Sequence, residues 1–199
     1  MHKIFVTSGL VLAKRGAGEA NTSVALFTEE LGLIRASARS ARLSKSKLRY
    51  GLETLTQARF SLVRGRYEWK LTGVEAPSRA LLVLSDSDTA LTERRASLAR
   101  ITKLLLRLIH GEEPVPEFYA LVLSGLAHLA RAETQKDAES IECVLVLRIL
   151  ASLGYLPATP ELAPFIERDF FSLELSAEVE RSRKLLIRTI NESLTATGL

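Results

Sequence analysis

The hydrophobic period of this chain changes once, near residue 79, from two residues to about 3.6, so its two parts cannot form the same kind of layer. Upstream, Ile4, Val6, Ser8, Leu10 and Leu12 alternate with Phe5, Thr7, Gly9 and Val11, and Arg15-Gly16-Ala17-Gly18 predicts a turn. Two short runs follow at 23–28 and 33–38, separated by Glu29-Glu30-Leu31-Gly32. A further pair, 54–63 and 67–74, is joined by Arg64-Gly65-Arg66, a connection of hairpin length. Alternation in the last run directs Tyr67, Trp69 and Leu71 to one face and Arg66, Glu68, Lys70 and Thr72 to the other.

About five short antiparallel strands in so few residues need their edges closed, and an OB-fold is one of the few small barrels that does this. Downstream the spacing becomes helical. Asp88 or a neighbour would cap a helix carrying Leu91, Leu98, Ile101, Leu104, Leu105 and Leu108, ended by Gly111 and Pro114. A second helix starts near Glu117, with Leu121, Val122, Gly125, Leu126 and Leu129 as its stripe. A third, 138–153, is apolar on nearly every side and reads as the buried centre of a bundle. A loop spans 157–164, and Ser176 is expected to cap a last helix. The fold class expected is α+β: a five-stranded OB-fold β-barrel at 1–79 followed by an α-helical bundle domain at 80–199.

Charge divides at the same place. Residues 1–79 carry 14 lysines and arginines against 6 acidic residues, a net of +8, while 80–199 carry 13 against 17, a net of −4. A clustered positive field concentrates polyanions, so phosphate-rich partners suit the first part. The segment 35–49 holds Arg35, Arg39, Arg42, Lys45, Lys47 and Arg49 with no acidic residue and with small residues between. Unpaired charges cannot be buried at that density, so the segment is exposed. It is either a phosphate-contacting finger or a charged, solvated face. Tyr50, Phe60, Tyr67 and Trp69 are aromatics that could stack on bases. Tyr67 and Trp69 share a face with Leu71 and read better as core, which leaves Tyr50, beside Arg49, as the exposed candidate.

Catalytic and metal patterns are missing. His2, His110 and His128 are far apart and near no cysteine pair, and Gly16-Ala17-Gly18 lacks the rest of a dinucleotide or phosphate loop. Glu29 and Glu30 read as surface-turn residues, His128 as structural and Cys143 as a small core residue. A single cysteine fits a reducing compartment. The longest apolar candidate, 144–156, is interrupted by Arg148, Ser152 and Gly154, and no leader is expected, so neither secretion nor a membrane partner is anticipated. No covalent catalysis, cofactor or metal is expected.

Two patches carry a resemblance. The first is Gly9-Leu10-Val11-Leu12, Glu19, Leu26-Phe27-Thr28-Glu29-Glu30, Gly32 and Arg35, continuing through Ala38-Arg39-Ser40-Ala41-Arg42, Ser46-Lys47-Leu48 and Leu52. The second is Leu145-Val146-Leu147-Arg148-Ile149-Leu150-Ala151-Ser152-Leu153-Gly154-Tyr155-Leu156-Pro157. In this order, about 100 residues apart, they resemble the RecO recombination-mediator family. The likeness covers 4–55 and 141–157.

The resemblance implies a bacterial, cytoplasmic DNA-repair protein, nucleoid-associated during repair, that binds single- and double-stranded DNA and anneals complementary strands. It implies RecR as a partner in loading the recombinase onto gaps coated with single-stranded-DNA-binding protein, whose acidic C-terminal tail it would bind. By position, Arg39 and Arg42 match the family's basic loop. Arg35, Lys45 and Lys47 join by charge and proximity, and Arg49 and Tyr50 by the segment's composition. For the tail, Arg107, Arg131 and Arg148 lie beside leucines on helices; the alternative is that they snorkel as ordinary surface arginines. Two departures stand out. Ser40 replaces the family's usual glycine, and the cysteine pair that many members place after Gly-Tyr-x-Pro is missing from 158–168. The helical domain is therefore expected to lack the zinc-binding insertion, with 157–174 as a compact connection. The rival functions are an RNA-binding OB-fold module with a helical protein-interaction domain, and a scaffold whose basic loop docks an acidic partner.

Overall fold

The computed structural model describes residues 3–79, 81, 89–157, 159–167 and 173–196. Five strands, β1 (Ile4–Ala17), β2 (Asn21–Thr28), β3 (Gly32–Ala38), β4 (Gln57–Arg64) and β5 (Trp69–Ser78), precede five helices. These are α1 (Thr89–Leu108), α2 (Pro116–Ala130), α3 (Gln135–Ser152), α4 (Ala163–Glu167) and α5 (Leu173–Ala196). The chain divides into two compact units, Met1–Leu82 with Thr102–Tyr119, and Val83–Ile101 with Ala120–Leu199.

In the first unit β1 is long enough to serve two partners. Its first half pairs with β4, from Ile4↔Val63 to Leu10↔Gln57, and its second half with β2, from Gly9↔Thr28 to Ala17↔Asn21. A register shift between Val11 and Ala13 bends the strand between them, as a bulge does. The barrel closes in the order β1-β2-β3-β5-β4, antiparallel except for the parallel β3/β5 pair. This is the expected OB-fold barrel. Val11, Val24, Leu26, Ile34, Phe60, Leu62, Trp69 and Leu71 fill it, with Phe5 edge-on to Trp69. Outside the barrel, the Phe27 ring meets Phe118 and Tyr119 at centroid distances of 5.7 and 5.2 Å. Trp69 Nε1 donates to Glu112, which also pairs with Arg64. These contacts tie 112–119 to the barrel.

Several boundaries differ from the sequence reading. No turn forms at Arg15-Gly16: β1 continues to Ala17 because Arg15↔Ser23 and Gly16↔Thr22 extend the ladder. The fourth strand starts at Gln57 rather than Thr54, after Leu55 adopts a positive φ of 66°. Phe60 is wholly buried, so it offers no stacking surface. Tyr67 does not share the inner face of Trp69 and Leu71. Pairing ends at Arg64↔Trp69, and the tyrosine stands on the turn at 87% exposure.

In the second unit Thr134 and Asp137 form a reciprocal capping box that starts α3 three residues earlier than the apolar run suggests. The helix ends at Gly154, whose φ of 76° suits glycine. There the amide of Tyr155 donates to Leu150 O at 2.8 Å and that of Gly154 to Ala151 O at 3.0 Å. The Gly-Tyr of the second sequence patch is thus a helix stop. As its all-round apolarity predicts, α3 is central, and it packs on α4 and α5 through Val144, Leu147, Phe165, Leu175, Val179 and Leu186. Glu142 accepts from Ser97 and, twice at 2.6 Å, from Arg100, which raises the Arg100 pKa. Ser176 is no cap. It lies inside α5, whose buried stripe already begins at Leu175. The Asp88 cap falls outside the described residues.

Candidate nucleic-acid interface

The segment after β3 begins with a residue in the left-handed region. Ser40 has φ 54°, and its amide donates to Asn21 Oδ1 at 3.0 Å. Ser40 thus holds a conformation that glycine adopts without steric cost. Arg42 is held twice to the β1–β2 turn, its amide to Ala20 O and its Nη1 to Gly18 O, both at 3.0 Å. Successive one-turn bonds follow, Leu43 to Ser40, Ser46 to Leu43, Arg49 to Ser46 and Gly51 to Leu48. Ala41 and Leu52 are buried in the barrel core and Leu48 packs against it. The segment is thus a strap anchored by apolar residues rather than a free finger. Arg39, Arg42, Lys45, Lys47 and Arg49 are exposed along it, and Tyr50 is 64% exposed with its main-chain oxygen held by Arg79.

The strand register adds cations that their sequence context does not single out. Arg15 on β1 pairs with Ser23 on β2, Ser23 with Ser37 on β3, and Ser37 with Lys70 on β5. Paired residues share a face, so one outward row crosses four strands with a cation at each end and small hydroxyl residues between. Arg35 lies on the same face of β3, two residues from Ser37, and is exposed. No carboxylate occupies the row. Arg15 and Lys70 were missed because they are 55 residues apart in sequence. The alternation directs Lys70 outward, whereas Arg15 falls in what the sequence reads as a turn.

The arginines assigned to a partner tail have different settings. Arg107 and Arg131 are exposed. Arg148 is buried at 6% exposure, and its Nε donates to Phe165 O at 2.8 Å. It is held inside the helical unit, because α3 is enclosed on the side where the sequence suggested a surface position. Burial pushes the Cys143 thiol up to about 11. As the single cysteine of the sequence it lacks the paired thiol that zinc ligation of the expected family type requires. Among the described residues no group of three His, Cys, Asp or Glu side chains gathers as metal ligands, and no helix is long and apolar enough to cross a membrane.

Comparison with known proteins gives a consistent picture. Residues 1–76 match the family described as Recombination protein O N terminal, and 92–161 match Recombination protein O C terminal. A protein of Desulfitobacterium hafniense named DNA repair protein RecO is 28% identical over 160 residues, 80% of this chain and 55% of its own. The protein of that name from Dehalococcoides mccartyi is 30% identical over 159 residues, 80% of this chain and 60% of its own. That of Acetivibrio thermocellus is 26% identical over 151 residues, 76% and 57% respectively. The chain therefore spans somewhat more than half the length of these curated relatives.

Proposed function

The chain belongs to the RecO family of DNA repair proteins, and from that premise we propose that it is a recombination mediator acting by binding alone. It holds single- and double-stranded DNA on the outward row of the barrel and on the strap that follows β3. The observation that carries the reading is the Arg15-Ser23-Ser37-Lys70 row, continued by Arg35, Arg39, Arg42, Lys45, Lys47, Arg49 and Tyr50. Cations fixed on a rigid surface displace the counterions of a phosphate backbone, and serines between them add hydroxyl donors. Two strands held on one positive surface repel each other less, which favours annealing.

With RecR, the protein would help load the recombinase onto gaps coated with single-stranded-DNA-binding protein. For the acidic tail of that protein Arg107 of the first unit and Arg131 of the second are separate candidates, each exposed, whereas Arg148 is buried and bonded within the chain. The place of work is the bacterial cytoplasm, at the nucleoid during repair. The helical domain works without a zinc-binding insertion.

The test is annealing of complementary oligonucleotides coated with intact or tail-deleted single-stranded-DNA-binding protein. Annealing that needs both this protein and the tail supports the reading. Binding without annealing on either coat, or stronger binding to a matched RNA, favours an RNA-binding module instead.

A further inference from the structure

The β4–β5 turn presents an aromatic ring that the barrel does not use. Ladder pairing stops at Arg64↔Trp69, and within the turn the Gly65 amide donates to Glu68 O at 2.9 Å. A Cβ on Gly65 would lie 2.5 Å from that same oxygen, so only glycine fits so tight a closure. The turn leaves Tyr67 87% exposed, more than any other large apolar side chain among the described residues. The Arg66 guanidinium carbon stands 5.2 Å from the ring centroid, which covers one ring face and steadies the side chain. The other face is open to solvent.

The surroundings are those of a ligand track. One residue beyond Trp69, Lys70 points outward beside Ser37, with Arg35 two residues along β3 on the same face. From Ala36, the partner of Trp69, to Arg39 is three residues, about 10 Å of extended chain. One short oligonucleotide can therefore reach both the turn and the start of the strap.

We propose that Tyr67 is a stacking platform for an unpaired base, on the β4–β5 turn beside the Lys70 end of the cation row. The inference rests on the DNA-binding reading above and deepens it. Phosphate contacts serve single strands and duplexes alike. A base offers its flat face to a protein ring only when it has left a duplex stack. Tyr67 thus gives the surface a preference for single strands that the cations alone do not supply.

The experiment measures binding of the whole chain to a thymidine oligonucleotide of about 16 residues, to its abasic counterpart and to a duplex of equal length. Tyr67→Ala is expected to weaken single-strand binding about fivefold or more and to leave the duplex within about twofold. Its salt slope should match the wild type, since stacking releases no counterions. Tyr67→Phe should retain affinity, and the abasic strand should not distinguish wild type from Tyr67→Ala. Equal loss on strand and duplex, or no loss while the wild type keeps its salt-dependent binding, overturns the stacking role alone. A wild type without salt-dependent DNA binding overturns the DNA reading, and the stacking role with it.

Discussion

Arg148 Nε lies 2.8 Å from the main-chain oxygen of Phe165, at a site where the arginine is only 6% exposed. Phe165 lies in the short helix α4, and the arginine on α3 reaches its carbonyl. The guanidinium thus serves the packing of α4 against α3. Replacing it with methionine keeps much of the volume and removes the donor of this hydrogen bond. Arg148→Met is expected to cost about 1–3 kcal/mol in urea unfolding. Unchanged stability would show that the bond contributes nothing net.

Ser40 occupies a backbone conformation that costs an L-residue roughly 1–2 kcal/mol relative to glycine. Glycine gives part of that back through the greater freedom of the unfolded chain. Ser40→Gly should therefore be neutral or stabilising by up to about 1 kcal/mol, whereas Ser40→Val should destabilise because a β-branched side chain fits that region poorly. The order of the three denaturation midpoints, glycine at or above serine and valine lowest, is the measurement. Valine at or above serine would contradict the strained turn.

Binding to a single strand should weaken with salt at a slope of about −3 in log affinity against log salt, if four or five phosphates are neutralised. Arg39→Ala with Lys45→Ala should bring the slope nearer zero by about 1.4 and reduce affinity for all sequences alike. Arg42→Ala differs in kind. Its Nη1 holds Gly18 O at 3.0 Å, so it should also lower thermal stability, by about 1 kcal/mol. A sequence-selective loss in the double variant would identify base contacts rather than backbone contacts.

Burial pushes the Cys143 thiol up to about 11. In the unfolded chain the thiol ionises near pH 8.5, while the folded protein keeps its proton until near 11. The unfolded state thus binds fewer protons across that window, and stability falls as pH rises through it. Below pH 8 the group makes no contribution to the pH dependence. Native protein at pH 8 should react with a thiol reagent far more slowly than the same chain in denaturant. Equal rates would mean that the thiol is neither shielded nor shifted.

Much of the fold was legible because local patterns report local structure. Alternation marked the first and last strands and short runs between turn residues the other three, the 3.6-residue spacing marked α1 and α2, and the apolarity of α3 announced its central place. Errors fell where a long-range partner overrides the local signal. Arg15-Gly16 has turn composition, yet β2 extends the ladder past it. Tyr67 continues the alternation of Trp69 and Leu71, yet the turn interrupts the pleat before the tyrosine is reached. Arg148 has the charge of a surface residue, but the α4 carbonyl that accepts its hydrogen bond is 17 residues away.

The amino-acid sequence by itself determined that a basic barrel precedes a helical bundle, that cations crowd the segment after the third strand, and to which family the chain belongs. Periodicity, charge and short motifs are written along the chain and can be read from it. Only the tertiary structure decided that Arg15 and Lys70 end one outward row, that the strap is anchored by Ala41, Leu48 and Leu52, and that Tyr67 faces water while Arg148 does not. Those outcomes depend on pairing and packing between segments tens of residues apart. Which face a side chain occupies is set by the partner that covers it, and no local period records that partner.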